Sequence, residues 1–257
     1  MPITRAMAPA LAPAALIGLI IGSFLNVVAW RLPRGESLVR PRSKCPGCGV
    51  QVKPYDNIPL VSWLLLRGRC RGCGEKISAR YPVVEAVTAA LYVLVVATKH
   101  DDALQLILGL VLVTFLVPMA VIDIDLKIIP NKLTAPAAVL AVALGAVLEP
   151  SYLPEQLAAG AGALAFFLLP TLIHSKGMGM GDVKLAGVLG LYLGRSVAPA
   201  VFIALILGVV VGAAIMAARG VADGRRTKVP FGPFLAAGAL IAFFVGHGLV
   251  DDYLDRF

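Results

Sequence analysis

Carboxylates that interrupt apolar sequence are the first residues here that could carry out chemistry. Asp123 and Asp125 follow an apolar run in the stretch VIDIDLKIIPN, and Asp182 precedes another in GMGMGDVK. An ionisable group at membrane depth costs free energy, so it marks a candidate functional site. Two carboxylates that meet across a helix interface share one proton, because both cannot readily ionise side by side. The three aspartates therefore suggest an acid–base pair between Asp182 and an earlier aspartate.

The same acids also have ordinary structural explanations. Asp182 could be the N-cap or a first-turn acid of a helix, where the helix macrodipole favours a negative charge. Asp123 and Asp125, close to Lys127, could be interfacial residues beyond a helix end. The aspartates alone do not decide between these explanations and catalysis.

Glycine spacing before Asp182 favours a functional role. Gly177, Gly179 and Gly181 alternate with larger residues. The backbone there can approach another chain closely and can adopt conformations closed to other residues. A peptide could lie along such a segment as an added strand. Our hypothesis is that Gly179 and Gly181 belong to a loop that cradles a substrate beside the carboxylate.

All four cysteines lie in one segment, 31–82, as the pairs Cys45/Cys48 and Cys70/Cys73, each followed by glycine. Four thiolates can complete a tetrahedral zinc shell, with two sulfurs from each tight knuckle. A redox-active pair and two disulfides are the alternatives, but disulfides rarely persist in the cytosol, where the charge pattern places this segment. A segment of about 50 residues also has too small a core to fold without a staple. We therefore predict a structural Zn²⁺ site.

The composition indicates that these residues are positioned by a membrane protein. The chain is 59% hydrophobic and 15% charged, against roughly 45–50% apolar and about 25% charged in a soluble domain. A bilayer core is crossed by about 20 helical residues. The candidate runs are 8–30, 83–97, 103–122, 133–148, 157–173, 185–193, 197–218 and 231–250. They predict an all-α polytopic membrane protein with about eight transmembrane helices, and the sixth run is long enough only if its helix begins near Asp182.

The charge distribution predicts the orientation of these helices. The segments 31–82, 123–132, 174–184 and 219–230 hold 19 of the 23 Lys and Arg residues. Because basic residues accumulate in cytoplasmic connections, these segments are predicted to be cytoplasmic and both termini to lie outside. The net charge of +8 then reflects topology and contact with anionic lipid headgroups, so no nucleic-acid partner is predicted.

The domain organisation follows from the same pattern. Residues 1–30 form a first transmembrane helix, residues 31–82 a small cytoplasmic zinc-binding insert, and residues 83–257 a transmembrane bundle. The charge pattern places the aspartates at the cytoplasmic edge of that bundle.

Several motifs together resemble one family, the bacterial prepilin peptidases. GMGD at 179–182 is similar to the Gly-x-Gly-Asp signature of intramembrane aspartyl proteases, and the spacing from Asp123 to Pro130-Asn131 resembles the first aspartate motif of this family. The resemblance covers nearly the whole chain, and the two cysteine pairs point to the bacterial, four-cysteine type. The other landmarks are GSFLNVVAWRLPRG at 22–35, DNIPLVSWLLLRGRC at 56–70, ISARYPVVE at 77–85 and PFGPFLAAG at 230–238.

The resemblance implies a membrane-embedded aspartyl endopeptidase. Its two catalytic aspartates carry over to Asp123 and Asp182, because Asp123 has the motif's distance of seven residues to the proline and Asp125 does not. Lys184, two residues after Asp182, also matches the family's motif, and we place it with Gly179 and Gly181 in the substrate-cradling loop. The alternative role of Lys184 is to face the lipid headgroups.

The resemblance further implies the substrates. They are type IV prepilins and related pseudopilins of type II secretion, whose short basic leader lies in the cytoplasm and whose mature part begins with a hydrophobic helix. Cleavage at the cytoplasmic edge of the inner membrane would leave that helix in lipid. Many four-cysteine members also N-methylate the new terminus with S-adenosylmethionine, and no residue of this chain is assigned to that activity.

Two other classes of protein share some of these features. A proton-coupled transporter also uses paired intramembrane acids, but it predicts acids near the membrane midplane and two repeated halves, neither of which the sequence shows. A membrane-tethered zinc-ribbon adaptor would need neither Asp123 nor Asp182.

Overall fold

The computed structural model describes residues 8–173, 179–220 and 229–254. Within these ranges the regular structure is helical, and the extended pairings are two isolated bridges in the segment 31–82. The all-α prediction is therefore confirmed for the described residues. The helices are α1 (Ala8–Arg31), α2 (Val61–Leu65), α3 (Arg80–Lys99), α4 (Ala103–Leu126), α5 (Asn131–Leu148), α6 (Leu153–Ile173), α7 (Met180–Leu193), α8 (Val197–Arg219) and α9 (Gly232–Leu254).

Among the described residues, six segments are long and apolar enough to cross a membrane, which indicates a multi-pass membrane protein. One of them, Met180–Arg219, contains both α7 and α8, separated by the short turn Gly194–Ser196. A shorter apolar stretch, Gly232–Gly246, belongs to α9. Helix α7 begins two residues before Asp182, which lengthens the short sixth run. Each apolar run coincides with a long helix, while eight membrane crossings stay a prediction.

Helix α4 has defined signals at both ends. Asp102 caps its start, where the carboxylate accepts the backbone N–H of Gln105 at 2.9 Å. Lys127 ends it in the left-handed conformation, with φ 56°, and donates its backbone N–H to the carbonyl oxygen of Asp123 at 2.9 Å. Asp123 therefore lies on the last turn of α4.

The chain divides into two compact units, Met1–Asp101 and Asp102–Phe257. The first contains α1 to α3, and the second contains α4 to α9. The functional division into a first helix, a zinc-binding insert and a bundle remains our proposal.

Helices α1 and α3 of the first unit pack closely at two glycines. A β-carbon at Gly18 would lie 2.6 Å from Cα of Ala89, and one at Gly22 would lie 2.8 Å from Cα of Glu85. Any side chain at these glycines would force the two helices apart.

Residues 31–82, here called the cysteine insert, begin at the end of α1 and include the first residues of α3, and polar contacts order them. The buried carboxylate of Glu85 on α3 accepts the backbone N–H of Leu60 at 2.8 Å. Within the insert, Arg71 binds both carboxylate oxygens of Asp56, at 2.7 to 3.0 Å. These hydrogen bonds from Arg71 hold the pKa of Asp56 below its usual range, so the pair is charged at neutral pH.

Helix α7 of the second unit lies close to α6. A β-carbon at Gly190 would lie 2.6 Å from Cα of Gly160, so only glycine fits there. The fully buried side chain of Gln156 on α6 donates to the carbonyl oxygen of Leu191 at 2.8 Å and to that of Ala141 on α5 at 3.4 Å. One amide thus ties α6 to α5 and to the C-terminal end of α7.

Candidate active site

Asp123 is a buried acid, with only 5% of its surface exposed. Its Oδ2 atom accepts a buried hydrogen bond of 2.9 Å from the backbone N–H of Gly232, the first residue of α9. The last turn of α4 and the first turn of α9 therefore hold this carboxylate between them. Burial of a carboxylate requires such a partner, because an unpaired buried charge is costly.

Asp182 lies in the first turn of α7 and is half-buried. Gly179 is the N-cap of that helix, so Asp182 is its third helical residue, and its backbone N–H donates to the carbonyl oxygen of Gly179 at 3.0 Å. The carboxylate folds back over this cap, and its Oδ2 lies 3.4 Å from where a β-carbon on Gly179 would be. The first-turn position predicted from the sequence is thus present, and it is compatible with catalysis.

Helices α4 and α7 pack against each other and bring Asp123 and Asp182 close enough for their charges to interact. Two neighbouring carboxylates in a partly buried site cannot both ionise readily, so they favour sharing one proton. Asp125, two residues further along α4, is exposed. Two residues correspond to about 200° around a helix, so Asp123 and Asp125 point to opposite faces. The structure brings Asp123 together with Asp182, and a catalytic role for the pair remains a proposal.

The connection between α4 and α5 explains the spacing in the first aspartate motif. Ile129 packs against α7, with its Cβ 3.2 Å from where a β-carbon on Gly181 would be. Two residues later, Asn131 accepts a hydrogen bond of 3.1 Å from Nζ of Lys184. The eight residues after Asp123 thus reach the first two turns of α7, and these contacts hold the C-terminal end of α4 and the start of α7 together.

The glycines that precede Asp182 differ in their surroundings. Gly177 lies outside the described residues. Gly179 is exposed and has an ordinary extended conformation, with φ −72° and ψ 138°, so it leaves room beside Asp182. Gly181 instead faces Ile129, which gives it a packing reason to be glycine. Lys184 is exposed apart from its bond to Asn131. The substrate-cradling role of these residues stays a prediction.

Gly232 was not among the predicted site residues, although it is the nearest backbone partner of Asp123. The sequence carried a signal in PFGP at 230–233, because glycine before proline is typical of a chain that turns into a helix. That signal shows a helix start and cannot show which side chain the helix start will meet.

The four cysteines form a second candidate site, and it lies in the cysteine insert. Their sulfur atoms all lie within 4.8 Å of one another. The Sγ atoms of Cys45 and Cys73 are 3.7 Å apart, and those of Cys48 and Cys70 are 4.0 Å apart. Tetrahedral coordination with Zn–S bonds of about 2.3 Å requires sulfurs about 3.8 Å apart. The predicted set of four is thus brought together with spacing that fits a metal ion.

Two similar knuckles carry the sulfurs. In the first, the Cys45 backbone N–H donates to Val50 and the Gly49 N–H donates back to Cys45, both at 2.9 Å. The second repeats this pattern from Cys70 to Gly74. Gly49 and Gly74 have φ of 71° and 77°, which side chains rarely tolerate, and this explains the glycine that follows each pair.

The thiols differ in how readily they ionise. The backbone N–H groups of Cys73 and then Gly72 lower the pKa of Cys70 to about 7. The Cys48 backbone N–H also acts to lower the pKa of Cys45, but burial and the neighbouring thiols outweigh it and raise that pKa to about 12. A bound cation would remove this difference, because metal-bound cysteines are thiolates.

Comparison with known proteins identifies two family matches in the chain. Residues 16–99 match the bacterial peptidase A24 N-terminal domain, and residues 110–217 match the type IV leader peptidase family. The second match contains both Asp123 and Asp182, and the first contains all four cysteines. No solved structure matches the chain significantly.

Full-length relatives agree with these matches, and each is named prepilin leader peptidase/N-methyltransferase. The Bacillus subtilis protein is 34% identical over 93% of this chain and 96% of its own length. The Neisseria gonorrhoeae protein is 37% identical over 90% of this chain and 88% of its own length. The Myxococcus xanthus protein is 41% identical over 83% of this chain, which spans 65% of that longer protein.

Alanine substitutions at Gly181 and Gly179 should differ in their effect on stability, because Gly181 is packed against Ile129 and Gly179 is exposed. We expect Gly181→Ala to lower the free energy of unfolding by about 1 kcal/mol, because its β-carbon would crowd Ile129. Gly179→Ala should leave stability nearly unchanged, since Gly179 is exposed and unstrained. Thermal unfolding of both variants in one detergent measures the difference. Equal melting temperatures would contradict the assigned contact with Ile129.

Proposed function

Because the chain belongs to the type IV leader peptidase family, we propose that it is a membrane-embedded aspartyl endopeptidase that removes the short basic leader of type IV prepilins and pseudopilins. The observation that carries this proposal is the pairing of Asp123 with Asp182, one buried and one half-buried, where α4 ends and α7 begins. Asp123 and Asp182 would supply the two carboxylates that an aspartyl protease needs.

In the proposed reaction the pair hydrolyses one peptide bond of the leader. One carboxylate takes a proton from water as the water oxygen bonds to the scissile carbonyl carbon, and the protonated partner donates to the carbonyl oxygen. Collapse of the resulting diol breaks the C–N bond: one diol hydroxyl gives its proton to the carboxylate that donated earlier, and the carboxyl group that took the water proton passes it to the departing nitrogen. The pair ends with one shared proton, as it began, and no covalent acyl-enzyme forms.

The position of the pair suits a substrate that remains in the membrane. Asp123 is on the last turn of one apolar helix and Asp182 on the first turn of another, so both lie at an end of the bundle and away from its centre. We propose that this end is cytoplasmic, as the basic residues in the flanking connections favour. A leader in the cytoplasm could then be cut off while the hydrophobic helix of the pilin stays in lipid.

The open space at Gly179 supports a place for the substrate backbone. This glycine is exposed, it precedes Asp182 by three residues, and the carboxylate lies directly over it. We propose that the leader approaches along this face as an extended strand. Lys184 and Gly181, the other residues predicted for the loop, would support it by holding the α4–α5 connection in place.

We propose that Cys45, Cys48, Cys70 and Cys73 hold one structural Zn²⁺. When bound, the ion would cross-link the two knuckles of the cysteine insert, whose small core needs such a staple. The four thiols supply a closed coordination shell, so no open position is left for catalysis at the ion. We also propose that this insert lies in the cytoplasm, where free thiols persist.

The relatives' names include N-methyltransferase, so we propose S-adenosylmethionine as a methyl donor for the new terminus. A cavity beside the end of α1, whose lining includes Val27, Arg31 and Arg42, was considered as its site. The carboxylate of the donor could pair with a guanidinium of this lining, but its sulfonium and ammonium cations have no carboxylate partner among the lining residues. The cavity does not fit, and we derive no step through the donor.

The proton-coupled transporter considered from the sequence is not favoured. The family matches are to peptidases, and Asp123 and Asp182 lie at helix ends, whereas a transporter needs acids near the membrane midplane.

Asparagine substitutions test the catalytic pair. We expect Asp123→Asn and Asp182→Asn each to lower leader removal by at least about 100-fold with folding retained, since each removes one half of the acid–base pair. The matched control, Asp125→Asn, should retain substantial activity because that side chain is on the exposed face. The assay is cleavage of a prepilin by purified protein. An active Asp123→Asn variant together with an inactive Asp125→Asn variant would overturn the assignment.

The substrate position is tested by Gly179→Ala. The added β-carbon should obstruct the leader and lower the cleavage rate strongly while leaving the melting temperature unchanged. Near wild-type cleavage by this folded variant would remove Gly179 from the substrate site and leave the aspartates unaffected.

Elemental analysis tests the metal site. Purified protein should contain about one zinc per chain, and Cys70→Ser should lower that content and loosen residues 31–82 toward protease. Glu75→Gln is the matched control, because its carboxylate lies 3.4 Å from Cys45 Sγ without belonging to the four-sulfur set. Wild-type protein without metal, or with disulfides under reducing conditions, would refute the zinc site.

A further inference from the structure

We infer that Gly232 is a positioning residue for the reaction: its backbone N–H fixes Oδ2 of Asp123 and leaves Oδ1 as the oxygen available to water and to Asp182. The inference rests on the proposed peptidase function, and it extends that site to a segment 109 residues away in sequence.

The hydrogen bond comes from a helix start with few competing donors. Gly232 is the first residue of α9, so its N–H has no partner within the helix. Pro233, the second residue, has no N–H to offer. Phe234, the third, donates to the carbonyl oxygen of Phe231 at 3.0 Å. The Gly232 N–H is therefore the first-turn donor directed at Asp123, at 2.9 Å.

The backbone at position 232 lies so close to the Asp123 side chain that an added β-carbon would force one of them to move. A β-carbon there would lie 2.6 Å from Oδ2 of Asp123 and 3.1 Å from its Cγ. A real β-carbon cannot remain at that distance, so any other residue would displace either the carboxylate or the start of α9. Because Asp123 is buried, its carboxylate has little space into which it could move.

The proposed reaction requires the Asp123 carboxylate to be held in one orientation. Two carboxylates act together only if one oxygen of each can meet the same water, and this requires a defined rotation of each group. By occupying Oδ2, Gly232 sets the rotation of Asp123.

The competing explanation is that Gly232 only allows α9 to pack. Gly238 and Gly212 provide the controls that separate the two explanations. A β-carbon at Gly238, on the same helix, would collide with the carbonyl oxygen of Ala200 on α8 and would not touch Asp123. A β-carbon at Gly212 on α8 would meet nothing within 4 Å.

The first experiment measures cleavage kinetics and melting temperature for three alanine variants. Gly232→Ala should lower kcat on the order of 100-fold with KM unchanged, because the substrate still binds while the carboxylate is misplaced. Gly238→Ala should lower the melting temperature and leave kcat of the folded protein unchanged. Gly212→Ala should change neither. A Gly232→Ala variant with wild-type kcat, or with a higher KM as its only defect, would overturn the inference.

The second experiment keeps Gly232 intact and therefore decides the case even if Gly232→Ala does not fold. Hydrogen–deuterium exchange of the segment 229–235 is suited to it, because Pro230 and Pro233 have no amide hydrogen. Loss of the carboxylate in Asp123→Ala should speed exchange at Gly232 about tenfold, the effect of one modest hydrogen bond. The control Asp182→Ala should leave that exchange unchanged. Equal exchange in wild type and Asp123→Ala would overturn the inference.

The outcomes distinguish this inference from the proposed function. If Asp123→Asn cleaves prepilin normally, the peptidase assignment fails, and the inference fails with it. If Asp123→Asn is inactive while Gly232→Ala is fully active, only the positioning role of Gly232 is lost.

Discussion

The placement of two carboxylates at neighbouring helix ends of an apolar bundle is the constraint on which the rest of the second unit depends. Neither charge can be buried without partners, and the pair is useful only if one proton is shared. The structure meets both needs with helix termini. Asp123 takes its partner from the start of α9, and Asp182 lies over the cap of its own helix. Acids at helix ends stay near water, which the proposed hydrolysis requires.

Close helix packing follows from this constraint, because helix ends can hold a carboxylate only if the helices are fixed. Gly190 lets α7 approach α6, and Gln156 ties α6 to both α5 and α7. Near the start of α7, Ile129 packs against Gly181. Gly190 and Gly181 thus make the helix packing more rigid, because they lack the side chains that would hold the neighbouring segments apart.

The cysteine insert solves a separate problem by separate means. It buries few of its apolar side chains, and its order comes from two similar knuckles, the Arg71–Asp56 pair and the contact from Glu85 to Leu60. A metal ion held by four sulfurs would complete this arrangement. The insert and the carboxylate pair belong to different compact units, so a change in one need not disturb the folding of the other.

The sequence by itself determined the features that depend on local composition and spacing. Apolar length indicates membrane helices and Cys-x-x-Cys-Gly indicates knuckles, because each of these signals lies within a few turns of chain. The choice of Asp123 over Asp125 rests on the resemblance to the prepilin peptidases, whose first aspartate motif has this distance to the proline. The tertiary structure decided what depends on distant segments meeting. It placed Asp123 against Gly232, 109 residues away, and turned Gly181 toward Ile129. No local pattern encodes such a contact, because every residue except proline carries the same backbone N–H group. The packing of α4, α7 and α9 determines which N–H group meets the carboxylate.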